Sequence, residues 1–380
     1  MKVIMIGTDR KLFEADSAVR RRMLEYSEPL QELHVIVFAK SDLKLKAAQI
    51  SDKVWIYPTN SLSRLLYIFD AVRIGKTIVE NRYITPSELL ISTQDPFETG
   101  RAGMALRNHF KAKIQIQIHT DFLDPHFAKG SFLNRLRVRM AKRLLPNANG
   151  IRAVSGRIAR SLSYLGIPQS NVGILPIYTY PAIFEAAPVK NLKDMYPQFS
   201  FIILMVSRLA KEKNIPLALR VFAEVLKSYP RTGMVILGDG PAKPKIQALA
   251  MKLGIAGSVV FEPWQNELVS YYKTCGAFLS ASNYEGYGLT LIEAGLSGTP
   301  IITTDVGVAS EIFRDGENAF VCPVGDKECL TAKLSELVGN PARSEQFKAQ
   351  VTTDVRHAII ADKVRHLERY QALLEKAWHS

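Results

Sequence analysis

The sequence has few cysteines and no long apolar run. Cys275, Cys322 and Cys329 are odd in number and lack the spacing of a zinc site, which favours a reduced, cytoplasmic compartment. No segment approaches the roughly 18 to 20 apolar residues that cross a bilayer. Residues 1–10 lack the apolar region and the cleavage site of a signal peptide. With 47% hydrophobic and 22% charged residues, the 380-residue chain has the composition of an ordinary globular protein, with room for two or three domains.

Acidic residues are scarce in the first half only. Residues 1–180 contain 27 Lys and Arg against 15 Asp and Glu, whereas residues 181–380 contain 22 against 21. The net charge of +13 therefore lies almost wholly in the N-terminal half. A merely solubilising surface would not predict this imbalance, so we expect an anionic partner there. Nucleic acid, membrane lipid and phosphate-bearing substrates all fit the charge alone.

Short β-branched runs alternate with amphipathic stretches in two series. In the first half, strands are predicted at 2–7, 33–39, 54–57, 89–92, 114–119, 150–154 and 172–175, with helices at 17–26 and 62–79. Residues 180–200 contain three prolines and no periodicity, which is typical of a linker. A second alternating series follows from Phe201. Two doubly wound α/β domains with parallel sheets are therefore predicted, with a ligand at the carboxyl ends of the strands.

Two cations follow the first strand of the second series. Arg208 comes directly after the buried run 201–207, and Lys213 follows in the turn before the next helix. An Arg fork and a Lys point charge beside a helix N-terminus form a good diphosphate site. By themselves, the two residues are a weak signal, because solvated surface charges would show the same pattern.

Two carboxylates flank a glycine-bearing turn further along the chain. Glu285 is followed by Gly286, Tyr287 and Gly288, and Glu293 lies eight residues after Glu285. On one helix that spacing is about 12 Å, which matches the distance from the ribose to the sugar of a nucleotide sugar. The glycines would let backbone N–H groups approach a ligand closely. The alternative is two solvated glutamates on one helix face, which the Glu-Gly-Tyr-Gly turn does not favour.

The pairing of Arg-x4-Lys with Glu-x7-Glu resembles the bacterial retaining glycosyltransferases of family 4, the group 1 glycosyl transferases with the GT-B fold. Further matching motifs are Leu237-Gly-Asp-Gly-Pro241, the run from Glu293 to Ile301, and residues 307–316. The resemblance covers residues 200–330. It implies two Rossmann-like doubly wound domains facing across a cleft: an acceptor domain at 1–180 with a returning helix at 356–380, a linker at 181–200, and a nucleotide-sugar domain at 201–355.

The resemblance also implies roles for single residues. Arg208 and Lys213 would bind the diphosphate, Glu285 the donor sugar and Glu293 the ribose. Backbone amides of residues 286–290 would contact the sugar and phosphates, which brings in Gly286, Tyr287, Gly288, Leu289 and Thr290. Trp264 would lie near the base, although a core position suits it equally well.

In the first half, the resemblance points to His119 as the histidine that contacts the donor sugar. His119 ends the strand 114–118, and Asp121 and His126 are weaker candidates nearby. The first loop departs from the family, because no Gly-Gly pair follows Gly7. Substrate binding there would fall to Gly7, Asp16 and Ser17, although Asp16 and Ser17 can instead cap the helix beginning near Ala18.

No Asp-x-Asp pair occurs, so the ligands of metal-dependent sugar transfer are lacking, and we expect neither metal nor cofactor. The resemblance implies transfer from a UDP- or GDP-linked donor with retention, by a metal-independent enzyme of the hexosyltransferase class. Two other hypotheses stay open: a nucleotide-sugar epimerase or hydrolase of the same fold, and a catalytically weak nucleotide-sugar binding protein.

A basic amphipathic stretch suggests where an anionic partner binds. Apolar residues recur every four positions from Phe132 to Leu144, interleaved with Arg and Lys. This pattern suits an anionic membrane surface, although an ordinary helix packed on the sheet would show it too. We expect weak association with the inner face of the membrane and a lipid-linked or glycan acceptor. Nucleic acid is a poorer partner, because no nucleic-acid-binding motif is present.

Overall fold

The computed structural model describes all 380 residues, which form two compact units. The first unit comprises residues 1–175 and 364–380 and contains an eight-stranded sheet of order β3-β4-β2-β1-β5-β6-β7-β8. All neighbouring strands are parallel except β3 and β4. The strands are β1 (Lys2–Gly7), β2 (Glu32–Val37), β3 (Ala48–Ser51), β4 (Val54–Pro58), β5 (Leu89–Thr93), β6 (Lys113–Ile118), β7 (Gly150–Ala153) and β8 (Val172–Ile174).

Helices connect these strands and cover the sheet. They are α1 (Ala18–Ser27), α2 (Tyr67–Asn81), α3 (Glu98–Phe110), α4 (Pro125–Gly130), α5 (Phe132–Leu144) and α6 (Gly156–Ser163). Because helices lie on both faces, central strands such as β1 and β5 are buried along nearly their whole length, which explains their continuous apolar sequence. The helix predicted from residue 62 begins only at Tyr67, since Ser63 is extended and residues 64–66 form a single 3-10 turn.

The second unit, residues 176–363, contains a six-stranded parallel sheet of order β11-β10-β9-β12-β13-β14. Its strands are β9 (Phe201–Val206), β10 (Thr232–Leu237), β11 (Val259–Glu262), β12 (Ala277–Ser280), β13 (Ile301–Thr304) and β14 (Phe320–Cys322). Its helices are α7 (Leu192–Met195), α8 (Ile215–Ser228), α9 (Lys243–Lys252), α10 (Val269–Thr274), α11 (Leu289–Leu296), α12 (Ala309–Ile312), α13 (Lys327–Gly339) and α14 (Pro341–Ala358).

The last helix, α15 (Lys363–His379), packs on the first unit. Gln115 of β6 donates to the Leu373 carbonyl (2.8 Å), and Trp378 donates to the Ser87 carbonyl (3.0 Å). A Cβ on Gly150 would lie 2.7 Å from that of Ala377, so the helix sits directly on the strands. The units divide after Leu175, and the segment 181–200 that resembles a linker belongs to the second unit.

Two observations bear on compartment and membrane. No helix combines the length and the apolar character needed to span a bilayer. Cys322 and Cys329 form a disulfide, with their Cα atoms 5.8 Å apart, whereas Cys275 is free and buried. The cysteine count favoured a reduced compartment, an expectation that this bonded pair does not fit. Seven residues of sequence separate the two cysteines, but the turn from β14 into α13 brings them together.

Candidate functional site

The centre of the second sheet is the point where its strand order reverses. From β9 the chain moves outward through β10 to β11, whereas β12, on the other side of β9, begins the series β13 and β14. In open parallel sheets, ligands bind outside the carboxyl ends of the strands at such a point. The loop after β9 carries the predicted cations, and the loop after β12 carries Glu285 and leads into the helix of Glu293. The fold therefore brings two sequence-distant motifs together.

The loop after β9 is held by a close backbone contact. Gly238, which follows β10, has φ of +142°, and a Cβ built on it would lie 2.0 Å from the Ser207 carbonyl oxygen. Leu209 N donates to the Asp239 carbonyl (2.8 Å). Only glycine permits this approach, which explains the Leu-Gly-Asp-Gly-Pro motif and fixes the backbone on both sides of Arg208.

Lys213 and Glu285 form an ion pair across the two central loops. Lys213 Nζ lies 2.5 Å from Glu285 Oε1, and Ser282 Oγ donates to the same oxygen (2.8 Å). Both charged side chains are largely buried and line a small pocket that Thr290 also borders. The arrangement fixes the position of a carboxylate and a cation where a polar ligand can reach them.

Arg208 is paired as well, but at the surface. Its guanidinium donates to Glu212, four residues later, and its side chain is largely exposed. The Glu212 carbonyl accepts from Asn283 N (2.8 Å), and Asn214 donates to the Asn283 side chain (3.0 Å). The loop carrying the cations is thereby tied to the loop carrying Glu285.

The glycine-bearing turn leads directly into α11. Gly288 has φ of +94° and precedes the helix, whose N-terminus no side chain caps. Tyr287 is buried, and its carbonyl accepts from Val308 N (2.9 Å). Because α11 begins at Leu289, Glu285 precedes the helix. The distance of about 12 Å expected along one helix therefore does not describe the pair Glu285 and Glu293.

Glu293 lies on α11 and is held by a buried tyrosine. Tyr272 of α10 donates its hydroxyl to Glu293 Oε2 (2.9 Å). Burial raises the pKa of the Glu293 carboxyl to about 7, although the Tyr272 hydrogen bond acts in the opposite direction. The carboxyl can therefore change its charge near neutral pH.

In the first unit, His119 follows the end of β6 and belongs to a polar network. Its Nε2 lies 3.1 Å from Gln117 Oε1, which also accepts from Arg152 (3.2 Å). Burial, followed by the charges of Arg152 and Arg22, lowers the pKa of His119 to about 3. Asp121, two residues on, is buried, and burial raises its pKa to about 6, assisted by Asp124. His126 instead contacts Asp124 (3.0 Å).

The first loop contains the remaining predicted residues. Ser17 caps α1 by accepting from Arg20 N (3.1 Å), as its sequence position suggested. Asp16 is exposed. Gly7 ends β1 against the side chain of Gln94, where a Cβ would lie 2.3 Å from Gln94 Oε1. A role of these three residues in substrate binding stays a prediction.

The second unit matches a known family model. Residues 196–353 match the family described as Glycosyl transferases group 1. They form a glycosyl transferases group 1 domain. Alpha-monoglucosyldiacylglycerol synthase of Streptococcus pneumoniae is 28% identical over 268 residues, which cover 67% of this chain and 60% of that protein. The protein of the same name from Acholeplasma laidlawii is 26% identical over 306 residues, covering 76% and 74%.

Solved structures match the whole chain. Sucrose-phosphate synthase of Thermosynechococcus elongatus superposes with a TM-score of 0.81 at 19% identity, with complete coverage of both chains. HepE of Anabaena, solved with UDP and glucose, gives a TM-score of 0.76 at 16% identity and covers 99% of each chain. The architecture of two parallel-sheet α/β domains is GT-B.

Trp264 lies outside the core of the group 1 domain. It follows β11 at the carboxyl edge of the sheet and is 52% exposed, which excludes the alternative of a core tryptophan. Contact with a base stays a prediction.

Sequence reasoning missed several partners of the predicted residues. Ser282 lies only three residues before Glu285, and this closeness along the chain was a usable signal. Tyr272 carried no signal, because its link to Glu293 depends on the packing of α10 beside α11. Gln117 is one of the alternating polar residues of β6, and Arg152 is an isolated polar residue in β7. Neither pattern indicated a partner for His119. No group of three or more His, Cys, Asp or Glu side chains is placed to hold a metal ion.

Proposed function

We propose that this protein is a retaining glycosyltransferase of family 4 that takes a sugar from a UDP- or GDP-linked donor. The observation that carries the proposal is the Lys213–Glu285 pair, held at 2.5 Å where the strand order of the group 1 domain reverses. A cation for a diphosphate and a carboxylate for sugar hydroxyls are needed side by side in a nucleotide-sugar site. Arg208 adds a second cation at the end of the same strand.

Each side chain then has a distinct task. Arg208 and Lys213 bind the diphosphate and stabilise the charge that develops on the leaving nucleotide, which is an electrostatic contribution. Glu285 accepts from hydroxyls of the sugar, and Glu293 accepts from the ribose. The uncapped N-terminus of α11 directs backbone N–H groups toward the phosphates and sugar.

We propose that the sugar is transferred to a lipid-linked or cell-surface glycan acceptor, which the enzyme meets at the inner face of the membrane. Two relatives are named as synthases of a glucosyldiacylglycerol, and one solved structure of the same fold holds UDP and glucose. The chain spans 60% of the pneumococcal relative's length. These names support the choice of a nucleotide-sugar donor and of a lipid-linked acceptor.

In the proposed reaction, the acceptor hydroxyl attacks the anomeric carbon on the face from which the diphosphate departs. The bond from the anomeric carbon to phosphate oxygen breaks, and that oxygen takes the acceptor's proton. Glu285 and Glu293 therefore act as hydroxyl acceptors and not as an acid and base pair. His119 contacts the donor sugar. Positive side chains and the α11 N-terminus replace a divalent cation, so EDTA should leave the transfer rate unchanged.

Ligand binding by the native state raises apparent stability, so thermal-shift screening of UDP-, GDP- and ADP-sugars tests the donor site. The Lys213→Ala and Glu293→Ala variants should lose the shift. Lys227→Ala is the matched control, since it removes an exposed lysine that also lies 2.5 Å from a glutamate. An undiminished shift in Lys213→Ala would refute the assignment. Donor consumption without any acceptor, with an epimerised or hydrolysed sugar, would favour the epimerase or hydrolase instead.

A further inference from the structure

Seven large apolar side chains of the first unit are exposed at the beginnings of two helices. Four lie in the segment 62–69, including Leu65 at 91% and Phe69 at 67% exposure, and three lie in the first turns of α5. We call this set the apolar rim; its members are Leu62, Leu65, Leu66, Phe69, Phe132, Leu133 and Leu136. Scattered single exposures are normal on proteins, but clusters of this kind usually contact another molecule or a membrane.

The topology places both parts of the rim at one edge of the sheet. Helices α2 and α5 both pack against α3, so all three cover the same face. Helices α2 and α3 follow the parallel strands β4 and β5, and α5 follows β6 after the short helix α4. All three therefore begin at the carboxyl edge of the sheet, the edge at which His119 lies. Arg137 of α5 pairs with Glu98, the first residue of α3 (2.9 Å). The residues before Arg137 therefore extend past the beginning of α3.

The apolar stripe of α5 leaves the core at this end. Leu144 packs against α3 near Gly100, and Met140 is half-buried, whereas Phe132 and Leu136, on the same stripe, are exposed. Packing against α3 thus explains the second half of the stripe and leaves its first half without a role inside the unit.

Exposed cations lie close in sequence to the rim, and acidic side chains are scarce around its α5 part. No Asp or Glu occurs between Asp124 and Glu185 in the sequence. The exposed cations nearest in sequence to the rim are Arg64, Arg73, Lys129, Arg135 and Arg139, of which Arg73 pairs with Asp70. Apolar side chains next to long basic ones are typical of surfaces that lie in the interface of an anionic bilayer, where the cations reach the headgroups. A protein partner would not require the excess of cations that accompanies the α5 part of the rim.

We propose that the apolar rim inserts into the interfacial layer of an anionic lipid bilayer, with the surrounding cations on the lipid headgroups. Only the biological purpose of this insertion rests on the proposed function. Insertion would hold the edge of the sheet that carries His119 at the surface where a lipid-linked acceptor lies. Vesicle binding itself needs neither donor nor acceptor.

Flotation with vesicles of phosphatidylcholine, with or without 30% phosphatidylglycerol, tests the proposal on the full chain at low salt. The double variant Leu65→Glu/Phe69→Glu should bind the anionic vesicles at least tenfold more weakly. Tyr83→Glu/Tyr164→Glu is the matched control, because both tyrosines are at least 87% exposed and lie at the C-terminal ends of α2 and α6. Arg135→Glu/Arg139→Glu should remove the preference for anionic vesicles and the sensitivity to salt.

A direct readout of insertion comes from an environment-sensitive dye on Leu65→Cys, compared with the same dye on Tyr83→Cys. The emission of the first should shift to the blue on anionic vesicles and that of the second should not. Equal binding by the rim variant and the tyrosine control would overturn the proposal. So would a wild-type dimer that Leu65→Glu/Phe69→Glu converts to a monomer without any change in vesicle binding. Thermal shift by the donor should be unaffected in the rim variant, which separates failure of this inference from failure of the donor site.

Discussion

His119 and Arg152 hydrogen-bond the same side-chain oxygen of Gln117, at 3.1 Å and 3.2 Å. Because arginine can only donate, the atom of the Gln117 amide that faces Arg152 must be the oxygen. The amide nitrogen accordingly faces Ser92 and donates to it (3.0 Å). His119 must therefore donate from Nε2, which leaves Nδ1 as the acceptor. Two residues of the sheet interior thus set the tautomer of a residue at its edge.

The first prediction concerns this tautomer. Long-range proton–nitrogen NMR of the histidines should show neutral, Nε2-protonated His119 at pH 7. Gln117→Leu removes the fixed acceptor and should give a mixture of tautomers with little change in fold. An Nδ1-protonated ring in the wild type would contradict the hydrogen-bond assignment. His126, which contacts Asp124 at the surface, is the internal reference.

The second prediction concerns acid stability of the first unit. Burial and nearby arginines lower the pKa of His119 to about 3 and that of His366 to about 4. Below about pH 6.5, these histidines bind protons in the unfolded chain but stay neutral in the native protein. The free energy of unfolding therefore falls as pH falls. Between pH 6.5 and 5, each should contribute about 1 to 2 kcal/mol to this loss. In urea titrations, His119→Gln should flatten the profile and His126→Gln should not.

The third prediction is a pH dependence of donor binding. Burial raises the pKa of Glu293 to about 7, so the carboxyl is mainly protonated at pH 6 and ionised at pH 8. An ionised carboxylate accepts hydrogen bonds from ribose more strongly, and nucleotide-sugar affinity should rise across this interval. Glu293→Gln should remove the dependence. Tyr272→Phe, which deletes the bond that lowers this pKa, should move the midpoint to higher pH in calorimetric titrations.

The fourth prediction uses the Lys213–Glu285 pair. Lys213→Ala should lower kcat about 100-fold or more, because an oriented cation at a developing charge is lost. Glu285→Ala should lower kcat by a similar factor. In the double variant, the loss of transition-state stabilisation should be much smaller than the sum of the two single losses, since the two side chains share one contact. Additive losses in steady-state kinetics would show that the pair does not act together. Lys227→Ala and Glu224→Ala form the matched cycle at an exposed pair.

The fifth prediction concerns the close approach of two strand ends. Gly238→Ala places a Cβ against the Ser207 carbonyl at a left-handed φ, so we expect about 2 to 4 kcal/mol of destabilisation. Donor binding should weaken too, since Arg208 follows Ser207. Gly257→Ala is the control, because a Cβ there meets nothing within 4 Å. In denaturant unfolding, Gly238→Ala should have a clearly lower free energy of unfolding than Gly257→Ala. Equal free energies would mean that the backbone contact at Gly238 is not tight.

Periodicity and turn residues were enough to predict most elements. Continuous apolar runs form β1 and β9, and a helical period follows each of them. Both patterns arise from short-range chain geometry, and they predicted both parallel-sheet units. The error at residue 62 has a local cause, because the apolar pattern continues through a turn in which Ser63 is extended. The charged motifs at 208–213 and 285–293 were likewise visible, since the residue types needed for a diphosphate and for hydroxyls are restrictive.

The partners of those motifs were decided by the tertiary structure. Lys213 and Glu285 are 72 residues apart, and only the adjacency of β9 and β12 makes them an ion pair. The hydrogen bond of Tyr272 to Glu293, the disulfide and the exposed rim depend in the same way on which surfaces helices cover. The sequence by itself determined the elements and the chemistry available, because both depend on neighbours along the chain. Strand order and packing determined the pairings and pKa values, because these depend on distances through space.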